Sequence, residues 1–180
     1  QGQRYRVLLT TGGGLYRYAT GDEIEVTGFL HQCPVLRFTG RAGVQSDLVG
    51  EKLHEQHVYA SIMRACETLN VEPSFSILIP TLRPTPGYRA ILVLKELESV
   101  DNGLSALESQ LSQAIDDRFC ENPQYQYARG LGQLQSLQTW ILPTTAETAW
   151  SAYETECRRR GQKSGDIKPT VIARDTDWDE

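Results

Sequence analysis

The hydrophobic period of the chain changes near residue 42, and this change most constrains what the chain can fold into. Before that point the apolar residues come in short β-type runs, opening on Tyr5-Arg6-Val7-Leu8-Leu9-Thr10 and broken by Gly12-Gly13-Gly14, Gly21-Asp22 and His31-Gln32-Cys33-Pro34. Runs of strong β-formers divided by Gly and Pro clusters predict three or four strands, over 5–11, 15–18, 23–30 and 35–41, in an antiparallel meander. The second piece alternates helix and strand. Val58, Ile62, Ala65, Cys66 and Leu69 share one face of a predicted helix over 53–70, and Leu104, Leu107, Leu111, Ala114 and Ile115 share a face of another. A third helix is expected after Pro143, where Thr144 and Glu147 have capping-box spacing; it would bury Ala146, Ala149, Trp150, Tyr153 and Cys157. Strands are expected over 75–82, 88–97 and 134–142, the first two joined by Arg83-Pro84-Thr85-Pro86-Gly87. The expected class is α+β: a small antiparallel meander over 1–42, then a mixed sheet covered by helices over 43–180.

With 180 residues and 39% hydrophobic content, the chain can bury one good core and a small appendage. A net charge of −5 argues against a nucleic-acid surface, which needs a clustered basic face. No stretch reaches the roughly 20 apolar residues that span a bilayer, and no signal peptide is visible, so a cytoplasmic protein is expected. Cys33, Cys66, Cys120 and Cys157 are widely spaced without a Cys-x-x-Cys or a nearby His pair, which reads as buried thiols rather than disulfides or zinc ligands. His54 and His57 lie three apart in the first helix with no further ligand partner, so no metal site is expected.

Chemistry enters at Gly21-Asp22. A Gly lets the chain turn sharply and a ligand approach closely, and the following carboxylate can accept hydrogen bonds from both hydroxyls of a ribose. A plain strand-to-strand turn uses the same dipeptide.

The residues around it narrow the choice. Gly14-Leu15-Tyr16-Arg17-Tyr18, Gly21-Asp22, Val26-Thr27-Gly28-Phe29, Cys33-Pro34, Leu36-Arg37-Phe38-Thr39-Gly40-Arg41 and Gly50-Glu51-Lys52-Leu53 with Glu55 follow in a fixed order. Together they resemble the auxin-responsive Gretchen Hagen family of acyl-acid amido synthetases, a branch of the adenylate-forming enzymes. The likeness extends through Asn122-Pro123-Gln124-Tyr125, Arg129 and Gly132-Gln133-Leu134.

The resemblance implies an ATP- and Mg2+-dependent ligase that adenylates a carboxylic acid and passes the acyl group to the amine of an amino acid. It implies that Asp22 binds the ribose, that Arg41 steadies the nucleotide, that Phe38 lies in or behind the nucleotide site, and that Lys52 approaches the phosphates. It places a hinge at Gly40-Arg41-Ala42-Gly43, on which the second piece turns as a lid. A late lysine enters the site during adenylation, and the register favours Lys168, although Asp166-Ile167 and the residue after Pro169 depart from the family pattern and Lys163 is a competitor. Family members are several times longer, with the phosphate loop and acyl pocket upstream, so the chain is expected to be the C-terminal part of such an enzyme, inactive alone and partnered by an upstream adenylation domain. Phe38 also fits a core aromatic, Lys52 a solvated surface residue, and the Gly-flanked boundary an ordinary interdomain loop. Two other functions share these features: a non-catalytic binding module with the lid fold, and the lid of an acyl-CoA ligase. The acidic end, 175–180, carries one aromatic able to pack, Trp178.

Overall fold

A computed structural model describes residues 2–41, 44–82, 84–95, 103–174, 176 and 178. The expected α+β class is observed. The first piece is a three-stranded antiparallel sheet in the order β1-β2-β3, with β1 at Arg4–Leu9, β2 at Tyr18–Leu30 and β3 at Cys33–Arg41. No separate strand forms at 15–18; Leu15 to Arg17 belong to the β1–β2 connection. β2 and β3 are joined by the two-residue turn His31-Gln32, with His31 in the left-handed region at φ 55°.

Gly21-Asp22 is not a turn, as the sequence suggested, but lies inside β2. Arg6 pairs with Glu23 and Leu8 with Ala19, so Val7 alone faces Thr20, Gly21 and Asp22. This is an irregular bulge, and Gly21 occupies its left-handed position at φ 78°, where a Cβ is disfavoured. The Thr20 hydroxyl serves the freed backbone groups: it donates to the Val7 carbonyl at 3.3 Å and accepts the Asp22 N–H at 3.1 Å.

The second piece holds a three-stranded sheet, order β6-β7-β8, over Pro73–Thr81, Gly87–Leu94 and Gln138–Ile141, with a short β4-β5 pair, Gln45–Ser46 with Leu53–His54, before it. β6 and β7 run antiparallel, while β7 and β8 run parallel. Helices α1 (Glu55–Thr68), α2 (Leu104–Phe119) and α3 (Pro123–Gly130) pack on one face and α4 (Ala146–Arg159) on the other. The period-2 alternation of the strands explains this division. Leu78, Tyr88, Ala90 and Leu92 face Val58, Ile62, Leu111, Ile115 and Phe119, whereas Ile77 and Ile79 face Tyr153 and Cys157. Each large side chain so buried contributes about 1.5–3 kcal/mol, and these two layers hold the sheet in place.

The third strand is shorter than expected because Gly132-Gln133 closes α3 and Leu134 is tied back by Arg129, leaving only 138–141 free to pair. Helix α3 itself was not expected; Asn122 caps it by accepting the N–H groups of Gln124 and Tyr125, with Pro123 at its first position. Thr145, one residue later than expected, caps α4 by accepting the Thr148 N–H at 3.2 Å. Of the four cysteines, Cys66 and Cys157 are buried as expected, Cys120 is half-buried, and Cys33 is exposed beside the hairpin turn; all four are free thiols. Arg83, the end of the expected 88–97 strand (Glu96 and Leu97), and most of the acidic tail lie outside the described residues, but Trp178 packs, stacking on Tyr153 at 5.3 Å between centroids.

Candidate functional site

A second bulge decides how the first sheet presents its polar groups. Ile24 pairs with Phe38, Glu23 with Gly40 and Asp22 with Arg41, leaving Thr39 as one extra residue on β3. In an uninterrupted strand, positions 38 and 41 would face opposite ways. The extra residue restores parity: Asp22 and Ile24 are two apart on β2, so their partners, positions 41 and 38, share their face. The sheet therefore brings together three of the four nucleotide-contact positions read from the sequence, Asp22, Phe38 and Arg41. Asp22 is partly exposed, and Phe38 is half-buried. Ala42 and Gly43, the second half of the expected hinge, lie outside the described residues.

Lys52 stands apart from this group. It precedes β5, is exposed, and adopts φ 48°. Its acidic neighbour is the built residue. Glu51 is fully buried, and its carboxylate accepts the N–H groups of Leu48 and Val49, each at 2.8 Å, and the Tyr88 hydroxyl. Burial, followed by the bond to Glu51, pushes the Tyr88 phenol well above its usual range, so Tyr88 stays a proton donor. Asn122 adds a bond from its side chain to the Glu51 carbonyl at 2.9 Å. These contacts fix the loop that presents Lys52.

The second late lysine position is held from elsewhere. Lys168 is exposed on a segment whose next residues run beside β6: Leu78 N–H donates to the Val171 carbonyl at 2.7 Å, and Ala173 N–H to the Leu78 carbonyl at 2.8 Å. Lys168 lines a small cavity with Val44, Tyr153, Gln162 and Arg174, and Asp22, Phe38 and Lys52 do not line it. Val44 is the first described residue after the boundary. Lys163 immediately precedes a short 3-10 turn, Ser164–Asp166, without a side-chain bond to it, and is also exposed.

Glu51 and Glu55 are the residues whose importance the sequence underplayed. Glu55 is 1% exposed and accepts both the Thr170 hydroxyl and the Val171 N–H at 2.6 Å. The available signal was two acidic residues four apart ahead of an amphipathic helix, but sequence offers no measure of their burial. Among the described residues, no cluster of three or more His, Cys, Asp or Glu could hold a metal ion, and no helix is long and apolar enough to cross a membrane.

The chain is similar in sequence and in fold to known proteins. The sequence profile of the GH3 family central domain matches residues 1–41, ending where β3 ends. Over 182 aligned residues the chain is 27% identical to a probable indole-3-acetic acid-amido synthetase, GH3.7, of Oryza sativa subsp. japonica, a match covering 95% of this chain and 28% of that protein. It is 38% identical over 64 residues to indole-3-acetic acid-amido synthetase GH3.17 of Arabidopsis thaliana, covering 36% of this chain and 10% of the relative. Among solved structures, AtGH3.15 acyl acid amido synthetase in complex with 2,4-DB superposes with a TM-score of 0.62 at 19% identity, over 97% of this chain and 31% of that one. The chain thus spans less than a third of the length of these relatives.

Proposed function

The chain belongs to the GH3 family of acyl acid amido synthetases, and from that premise we propose that it is the nucleotide-binding edge and lid of an enzyme that joins a carboxylic acid to an amino acid at the expense of ATP. The observation that carries this reading is the common face of positions 22, 38 and 41, created by the extra residue at Thr39 and lying immediately before the boundary. A carboxylate and a guanidinium can hold the hydroxyls of a ribose, and an aromatic ring can border a base.

The chemistry divides into two halves. In the first, a carboxylate oxygen attacks the α-phosphorus of ATP and pyrophosphate leaves, giving a mixed anhydride. Negative charge grows on the phosphoryl oxygens, and the Lys168 ammonium offsets it when the lid presents that lysine; such a group is typically worth about 10²–10³ in rate. In the second, the amine nitrogen attacks the activated carbonyl carbon, AMP departs, and the nitrogen loses its proton. Asp22 and Arg41 hold the ribose throughout, Phe38 borders the nucleotide, and Lys52 reaches the phosphates in one lid orientation. Magnesium would arrive on the ATP phosphates. The acid is of the class named for the relatives, indole-3-acetic acid or 2,4-DB, and the enzyme works in the cytoplasm.

The test is acid-dependent ATP–pyrophosphate exchange on the full-length protein, with Asp22→Ala, Lys168→Ala and Lys163→Ala variants. Loss of exchange with Asp22→Ala and Lys168→Ala supports the assignment. No exchange with any acid would turn the reading towards a binding module, and loss with Lys163→Ala in place of Lys168→Ala would move the catalytic lysine.

A further inference from the structure

Lys168 sits in a part of the chain with little to fix it. Pro169 has no N–H, so the backbone at that position cannot be held by donation, and its ring confines Lys168 to extended conformations. The placement of Lys168 is therefore transmitted from the next anchored point, which is Thr170-Val171. One atom grips both residues: Glu55 Oε1 accepts the Thr170 hydroxyl and the Val171 N–H, each at 2.6 Å, while the Val171 carbonyl accepts the Leu78 N–H at 2.7 Å and the Thr170 hydroxyl also lies 2.8 Å from the Ile172 carbonyl.

Glu55 is itself fixed on its other side. It begins α1, and its backbone N–H donates to the Val44 carbonyl at 3.0 Å. One residue thus joins the exit of the boundary, the first turn of α1 and the lysine segment, and Val44 and Lys168 line the same cavity. A buried carboxylate is expensive to desolvate, and an apolar residue would serve packing as well or better. What the carboxylate adds is a charge-assisted, directional grip on one segment.

We propose that Glu55 is the positioning residue for Lys168, holding the lysine in fixed relation to the boundary so that it enters and leaves the nucleotide site with the rotating lid. The inference rests on the adenylation reading above. Glu55 bonds to Thr170, Val171 and Val44; its loss should misplace one ammonium and leave the binding groups alone. A displacement on the order of 1 Å can cost about 100-fold in rate.

The experiment uses the full-length protein and separates the half-reactions: acid-dependent pyrophosphate exchange for the first, and amide formation from a chemically prepared acyl-adenylate for the second. Glu55→Ala and Thr170→Val are expected to lower kcat of exchange by about 10- to 100-fold, with KM for ATP and the aminolysis rate near wild type. Glu55→Gln and Thr170→Ser, which keep an acceptor and a donor, should recover most of the exchange. A merely structural role would instead depress both half-reactions in proportion to lost folded protein, and that result overturns the proposal. If Glu55→Ala does not fold, the near-isosteric Thr170→Val and its Ser counterpart decide alone. Active wild type with undiminished exchange in Thr170→Val sinks the role of Glu55 by itself, whereas inactive wild type sinks the adenylation reading and this inference with it.

Discussion

Asp22 on β2 stands directly opposite Arg41 on β3, and the unpaired Thr39 puts Phe38 on the same face. The alignment depends on a bulge in each strand, and the β2 bulge depends on Gly21 at φ 78°. No atom lies within 4 Å of a Cβ built there, so Gly21→Ala meets no steric barrier and pays only the left-handed backbone penalty, about 1–2 kcal/mol. Relaxing that strain moves Asp22. Gly21→Ala is expected to raise KM for ATP by about fivefold to tenfold with folding retained. An unchanged KM would show that the bulge does not set the position of Asp22.

A buried network fixes the far side of the lid domain. Asp116 accepts the Tyr125 hydroxyl at 2.5 Å, the Leu137 N–H at 3.2 Å, and the Arg129 guanidinium through Nε at 3.2 Å and Nη2 at 3.0 Å. Asp116→Ala leaves an Arg, a phenol and a backbone donor unpaired, so it should destabilise by about 3 kcal/mol. Denaturant unfolding measures this, and a loss under about 1 kcal/mol would mean that water replaces the carboxylate.

The features legible in the sequence were those with local causes. The helical faces of α1 and α2, the β-type opening and the Gly-Asp dipeptide all declare themselves through period or residue type, and Asp22, Phe38 and Arg41 could be named. Their common face could not, because it follows from the cross-strand offset at Thr39, which is a pairing choice and not a property of any residue. The same reason hid Glu55: its partners, Thr170 and Val171, are more than a hundred positions away. Cys33 is exposed and not buried as its spacing from other cysteines suggested, because residues 29–37 of the hairpin are exposed along their length.

That last difference is directly measurable. Cys33 is exposed, while burial raises the Cys66 thiol to about 11 and leaves Cys157 similarly enclosed. The thiolate is the reactive form, so an alkylating agent at pH 8 should modify Cys33 first and Cys66 only on unfolding. Peptide mapping after brief labelling reads the order. Early modification of Cys66 would mean that α1 opens readily from the sheet.

The last turn of α4 carries the clearest pH signal. Glu156 accepts from Arg159 at 2.7 Å through each oxygen and from Arg160 at 2.5 Å, and these two guanidinium groups lower its carboxyl to about 2. Because the folded value lies below the ordinary 4.5, the stabilisation is complete above about pH 4.5 and disappears as pH falls towards 2. The Glu156 side chain is 21% exposed and pairs at the surface with the exposed Arg159, so the contribution is small, below about 1 kcal/mol, and salt-sensitive. Arg160 adds reach, since its Nη1 also donates to the Thr176 carbonyl at 3.0 Å and its guanidinium lies 5.3 Å from the Trp178 ring centre. Glu156→Gln is therefore expected to lower the midpoint of thermal unfolding slightly at pH 7, with the difference from wild type narrowing between pH 4.5 and 2 and shrinking in high salt. A difference that persists unchanged at low pH would assign the effect to helix propensity and not to the ion pairs.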